Sequence, residues 1–114
     1  MNKENKEITK VIEIANKMGL DAFADEFMDT DTNQEVVSIQ FQEKFSGMIV
    51  SIYVAPDASK KDITDELYML ADELNEEFTE SEKIAELKED GYNDNEIDVM
   101  RRYINMLHKH YTFE

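Results

Sequence analysis

The sequence predicts an α+β fold in a single domain spanning 1–114: an N-terminal helix, a small antiparallel sheet, then three helices. Three observations predict it. Apolar residues recur at helical spacing over residues 5–18. Two short runs, 35–42 and 48–55, alternate as strands do. Beyond Pro56, the only proline, helical periodicity returns in three further segments. A chain of 114 residues, 41% of them hydrophobic, can bury a modest core without disulfides or a structural metal.

The first helix is read over residues 5–18, with Ile8, Val11, Ile12, Ala15 and Met18 as its apolar stripe. Gly19 stands where a helix C-terminus needs a left-handed residue, and Leu20 follows to pack back. The segment Leu20 to Met28 fits two states. Leu20, Phe23, Ala24, Phe27 and Met28 suit a helical stripe, whereas Phe23, Asp25 and Phe27 alternate as in a strand. A strand near 22–28 would complete a three-stranded sheet, because a lone hairpin is only marginally stable. Asp29 to Asn33 is turn chemistry.

The hairpin pairs 35–42, with Val37, Ile39 and Phe41 on one face, with 48–55, where Met48, Val50, Ile52 and Val54 share a face. Ser46-Gly47 marks the turn between them. A long helix is expected from Lys60 to Phe78, with Ile63, Leu67, Leu70, Ala71, Leu74 and Phe78 apolar. Thr79 and Glu82 have capping-box spacing for a short helix carrying Ile84 and Leu87, which Gly91 ends. Asn93 and Glu96 repeat that spacing before a final helix to about Tyr111, with Ile97, Met100, Ile104, Leu107 and Tyr111 inward.

Charge narrows the function. The net charge is −15, and residues 62–98 hold fifteen acidic side chains against Lys83 and Lys88, a local −13. Residues 21–43 add seven acids and no base. So much like charge opposes folding and repels nucleic acid and anionic lipid, so an electrostatically steered partner should be a basic protein. The absence of cysteine removes disulfides and thiolate zinc sites. Met1 to Glu7 is too polar for a signal peptide and no apolar run could span a bilayer, so a cytoplasmic protein is expected.

No catalytic constellation stands out. There is no nucleophile-elbow serine and no phosphate-cradling glycine loop, so neither enzyme activity nor a cofactor is expected. Asp29-x-Asp31-x-Asn33 begins like a calcium loop, but Gln34 and Gln40 occupy positions that require glycine and glutamate; it reads as a polar turn, and no metal is expected. Ile84 to Ile104, hinged at Gly91-Tyr92-Asn93, has helix-turn-helix spacing and carries Arg101 and Arg102. Its acidic surroundings favour a plain helical hairpin. His108 and His110 point to different helix faces and are read as part of a fraying end. The seven methionines are read as core filler.

One feature remains. Asp62, Asp65, Glu66, Asp72, Glu73, Glu76 and Glu77 lie on the outer face of the long helix, with Glu80 just beyond. Asp72/Glu76 and Glu73/Glu77 are like-charged pairs at i,i+4, which destabilise a helix. Seven acids over sixteen residues, at a helical rise of about 1.5 Å, give one charge per roughly 3.4 Å, close to the axial charge spacing of one DNA strand. An ordinary solvated helix face would carry the same residues. In length and in the acidity of Asp21 to Glu43 and Asp62 to Glu82, the chain resembles the small inhibitors encoded by phages and mobile elements, among them anti-CRISPR and anti-restriction proteins that mimic DNA. That resemblance implies occlusion of a basic groove on a nucleic-acid-binding target such as a nuclease, with those eight acids as the partner-binding set. The rival expectation is a small cytosolic interaction module, monomeric or homodimeric, whose acidity serves solubility.

Overall fold

The computed structural model describes residues 5–76 and 81–113. Its elements are α1 (Lys6–Met18), β1 (Asp21–Asp29), β2 (Gln34–Gln42), β3 (Ile49–Val54), α2 (Lys60–Asn75), α3 (Glu82–Glu89) and α4 (Asp94–Thr112). The class is α+β: one antiparallel sheet in the order β1-β2-β3, preceded by one helix and followed by three. α1 lies on β1 and β2, and α2 lies on β3. α4 packs across α1 and α2, while α3 closes against α2 and α4.

Local chemistry explains the boundaries. Asn5 caps α1: its Oδ1 accepts the N–H groups of Glu7 at 2.9 Å and Ile8 at 3.3 Å. Its amide donates to the carbonyls of Pro56 at 3.0 Å and Ala58 at 2.9 Å, fastening the start of α1 to the loop before α2. The Asn5→Ala variant should therefore lose about 2 kcal/mol of stability, combining a lost cap with two lost side-chain bonds. A urea midpoint shift at unchanged m-value reads it. At the other end, Gly19 has φ 107° and donates to Asn16 O, while Leu20 N–H reaches Ala15 O at 3.1 Å, the Schellman pattern. Leu20 is buried behind it.

The inner stripe of α1 is Ile8, Val11, Ile14 and Ala15; Ile12 and Met18, expected inward, are only partly buried. The ambiguous segment is a strand. It escaped a clear periodicity because β1 is an outer strand that contributes only Ala22 to the edge of the core. Its register pairs Ala24 with Ile39 and Phe27 with Val36, so Phe23 and Phe27 stand on the open face of the sheet. Tyr53 shares that face and meets Phe27 edge-on at 6.2 Å. The opposite face carries the buried Val37, Ile39, Phe41, Val50, Ile52 and Val54. The β1–β2 turn closes as turn chemistry requires: Asp29 Oδ1 accepts Asp31 N–H at 2.9 Å, and Asn33 adopts φ 57°.

The β2–β3 turn is held by a buried carboxylate. Glu43 accepts the N–H groups of Phe45 and Ser46 and the Ser46 hydroxyl, each at 2.8 Å. Burial pushes its pKa up, but these bonds more than compensate and hold it below the ordinary 4.5. A depressed carboxyl contributes stability that is present above its unfolded pKa and lost as pH falls through the folded one. Glu43→Gln places an amide where an N–H needs an acceptor, so it should cost about 1–3 kcal/mol at neutral pH. The cost should shrink on acidification, which urea unfolding at pH 7 and at pH 3 measures.

Past the sheet, α2 opens with a capping box in which Ser59 and Asp62 bond reciprocally. It ends at Asn75, earlier than expected, with Glu76 in extended backbone; Phe78 and Thr79 lie outside the described residues. α3 is capped by Ser81, whose hydroxyl accepts Ile84 N–H, so the start assigned to Thr79 shifts by two residues. Asn93 and Glu96 form a full capping box on α4. The C-terminal end does not fray at the histidines as expected. α4 runs on to Thr112, and the fully buried Tyr111 donates its hydroxyl to Glu7 at 2.8 Å. Nor are the methionines all filler: Met48 and Met100 are buried, whereas Met28, Met69 and Met106 are about half exposed.

Candidate acidic interface

α2 positions the acids by helical geometry. At 3.6 residues per turn, Asp62, Asp65, Glu66, Asp72 and Glu73 fall within an arc of about 120°, opposite Ile63, Leu67, Leu70 and Leu74. These five share a face, but they do different work. Asp62 is spent on the capping box, accepting Ser59 N–H at 3.0 Å. Asp65 pairs with Lys61 at 2.6 Å, an exposed i,i+4 bridge worth little to stability. Glu66 leans toward β3 and is half-buried; its pKa is raised by that burial and secondarily by Asp65. Asp72 and Glu73 form the last turn, and Glu76 stands exposed at the C-cap. Glu77 and Glu80 lie outside the described residues.

Glu66, Asp72, Glu73 and Glu76 have no ion-pair partner among the described residues. The last turn of α2 carries no basic residue, so Asp72 and Glu73 sit at the negative end of the helix dipole. Each such placement costs about 0.3–1 kcal/mol. Glu76 closes the helix: its N–H still bonds to Asp72 O at 3.2 Å and its φ is helical, so its side chain keeps the i,i+4 place beside Asp72.

Sequence reasoning missed the apolar centre of this face. Met69 is 60% exposed, and its helical neighbours at i−4, i−3, i+3 and i+4 are Asp65, Glu66, Asp72 and Glu73. The signal was present as a methionine whose neighbouring positions are all acidic. Tyr68, 59% exposed, adjoins it and meets the His108 ring at 5.8 Å, so His108 braces α2 against α4. The same end of α2 is fixed by a reciprocal amide pair between Asn75 and Asn105 at 2.9 and 3.0 Å.

In the helical hairpin of α3 and α4 the two arginines turn back on a carboxylate. Arg101 and Arg102 both bind Asp98, Arg102 at 2.8 Å. The Arg101 hydrogen bonds lead in holding the Asp98 carboxyl below its ordinary value. The arginines that suggested a DNA reader are therefore engaged by Asp98 of their own helix, and Arg101 also donates to Asn75 of α2 at 3.4 Å. Among the described residues, no group of three or more His, Cys, Asp or Glu could hold a metal ion. Among the described residues, no helix is long and apolar enough to cross a membrane. In comparisons with protein-family models, curated proteins and solved structures, nothing matches the chain.

Proposed function

We propose that the chain is a non-catalytic binding protein whose α2 face occupies the basic nucleic-acid-binding site of a target protein, a nuclease for example. It would act as the DNA-mimicking inhibitors of phages and mobile elements do. The observation that carries this reading is Met69, exposed at the centre of a ring of carboxylates. A face that serves only solubility gains nothing from an exposed thioether and tyrosine, whereas interface cores are enriched in Met and Tyr. Of the charges around it, Asp72 and Glu73 are retained against the helix dipole and, like Glu66, have no ion-pair partner among the described residues, a cost that binding a cationic surface offsets. The protein works in the cytoplasm and approaches neither nucleic acid nor membrane itself, since its net −15 repels both.

The test is capture from a host lysate on immobilised wild-type protein and on the Asp72→Lys, Glu73→Lys, Glu76→Lys variant. Recovery of a basic nucleic-acid-binding protein by the wild type alone supports the reading. If both recover the same proteins, the face is merely solvated and the reading fails.

A further inference from the structure

We propose that the groove between β3 and α2 receives an extended, basic segment of the partner protein as a fourth strand of the sheet. This inference rests on the reading above and names the mode of attachment. Glu43 N–H bonds to Met48 O at 2.9 Å at the mouth of the hairpin. In an antiparallel ladder hydrogen-bonded pairs alternate, so they fall at Phe41/Val50, Ile39/Ile52 and Val37/Val54. The N–H and C=O groups of Ile49, Ser51 and Tyr53 then point away from β2. Among the described residues no backbone bond outside the sheet reaches them.

The two edges of the sheet are treated differently. β1 carries Asp21, Asp25, Glu26 and Asp29, the kind of charge that blunts an edge against pairing. β3, with the sequence IVSIYV, has neither charge nor proline. Beside it runs a groove of about 450 Å³, bounded by Ser51 and Tyr53, by Glu66, Met69 and Glu73, and by Lys83 of α3. Asp72 also lines it, so three carboxylates face one ammonium, and Lys83 has its own ion pair with Glu86 at 3.6 Å. A second copy docked edge to edge would bring the same carboxylates against their own kind, so charge selects a cationic occupant. Side chains of an added strand alternate between the two faces of the sheet. One set would meet Glu66 and Glu73, and the other would lie beside Tyr53 and Ile49. The fitting segment therefore alternates Lys or Arg with apolar residues.

The probe is an eight-residue peptide of alternating lysine and valine, titrated into the full chain by calorimetry, with amide exchange followed by NMR. Two controls keep its charge: a block peptide with four lysines then four valines, and the alternating peptide N-methylated at every second residue. The alternating peptide should bind tightest and slow exchange at Ser51 and Tyr53. N-methylation should weaken it at least about tenfold, since strand hydrogen bonds are lost. Ser51→Pro should do the same while folding normally, because the Ser51 N–H serves no ladder bond. Equal binding of the three peptides, or none by any, overturns the fourth-strand mode. It leaves the acidic-face reading to stand or fall by the three-lysine variant. A dimeric wild type that Ser51→Pro converts to monomer would show that a second copy holds the edge, and would also overturn it.

Discussion

Reversing Asp72, Glu73 and Glu76 to lysine should weaken partner binding at least about 100-fold while raising the melting temperature of the free protein. The two effects have opposite signs because the charges face different things in each state. Bound, each carboxylate meets a cation, and reversal turns attraction into repulsion; even at the surface such pairs interact by about 1–4 kcal/mol at 4 Å. Free, Asp72 and Glu73 oppose the α2 dipole, and lysines there would complement it, for a gain of about 1 kcal/mol in total. That corresponds to a few degrees in Tm for a domain of this size. Folding should survive, since the inward stripe of Ile63, Leu67, Leu70, Ala71 and Leu74 is untouched. Calorimetric titration and thermal melts of both proteins check it. A variant that binds poorly because it is less stable would break the argument.

Tyr111→Ala should cost about 3–5 kcal/mol, a large part of the 5–15 kcal/mol that a domain commands. Tyr111 is fully buried near the end of α4, its hydroxyl held by Glu7 and its ring 5.6 Å from the Lys60 ammonium. It therefore joins α4 to α1 and to the start of α2. Tyr111→Phe keeps the ring and loses only the hydroxyl bond, about 1 kcal/mol. Burial first, then the Glu7 hydrogen bond, raises the Tyr111 pKa well above its ordinary 10.0. A raised pKa means that the folded state holds the proton more tightly. The contribution is complete below pH 10 and is lost as pH rises toward the folded value. Urea unfolding at pH 7 and pH 11 should thus show Tyr111→Phe closing the gap with wild type under alkaline conditions. A constant gap would contradict that assignment.

Much of the fold was legible because most elements bury one clean stripe. Ile97, Met100, Ile104, Leu107 and Tyr111 recur at helical spacing and are all buried, and β2 and β3 alternate across a half-covered sheet. The β1 segment was unreadable because its inward positions beyond Ala22 meet solvent, so burial imposed no period on Ala24, Glu26 or Met28. The end of α2 was misplaced because Phe78 fits the apolar stripe, whereas Asp72 and Glu73 weaken the last turn against the dipole. Asn5 could not be foreseen as a fastening, since its amide partners are backbone carbonyls more than fifty residues away. On the candidate face, the acids were visible as composition. Which of them are spent depended on local geometry: Asp62 on Ser59, Asp65 on Lys61. The groove beside β3 was invisible, because it arises from a strand edge and a helix face that only the tertiary fold brings together.

The central claim is that this acidic face stands in for nucleic acid. The most direct test is competition: the captured basic protein is loaded with labelled nucleic acid and titrated with the chain while fluorescence anisotropy is read. The wild type should displace the label completely, and the three-lysine variant should leave it bound. A ternary complex, in which partner, nucleic acid and chain remain together, would contradict the account.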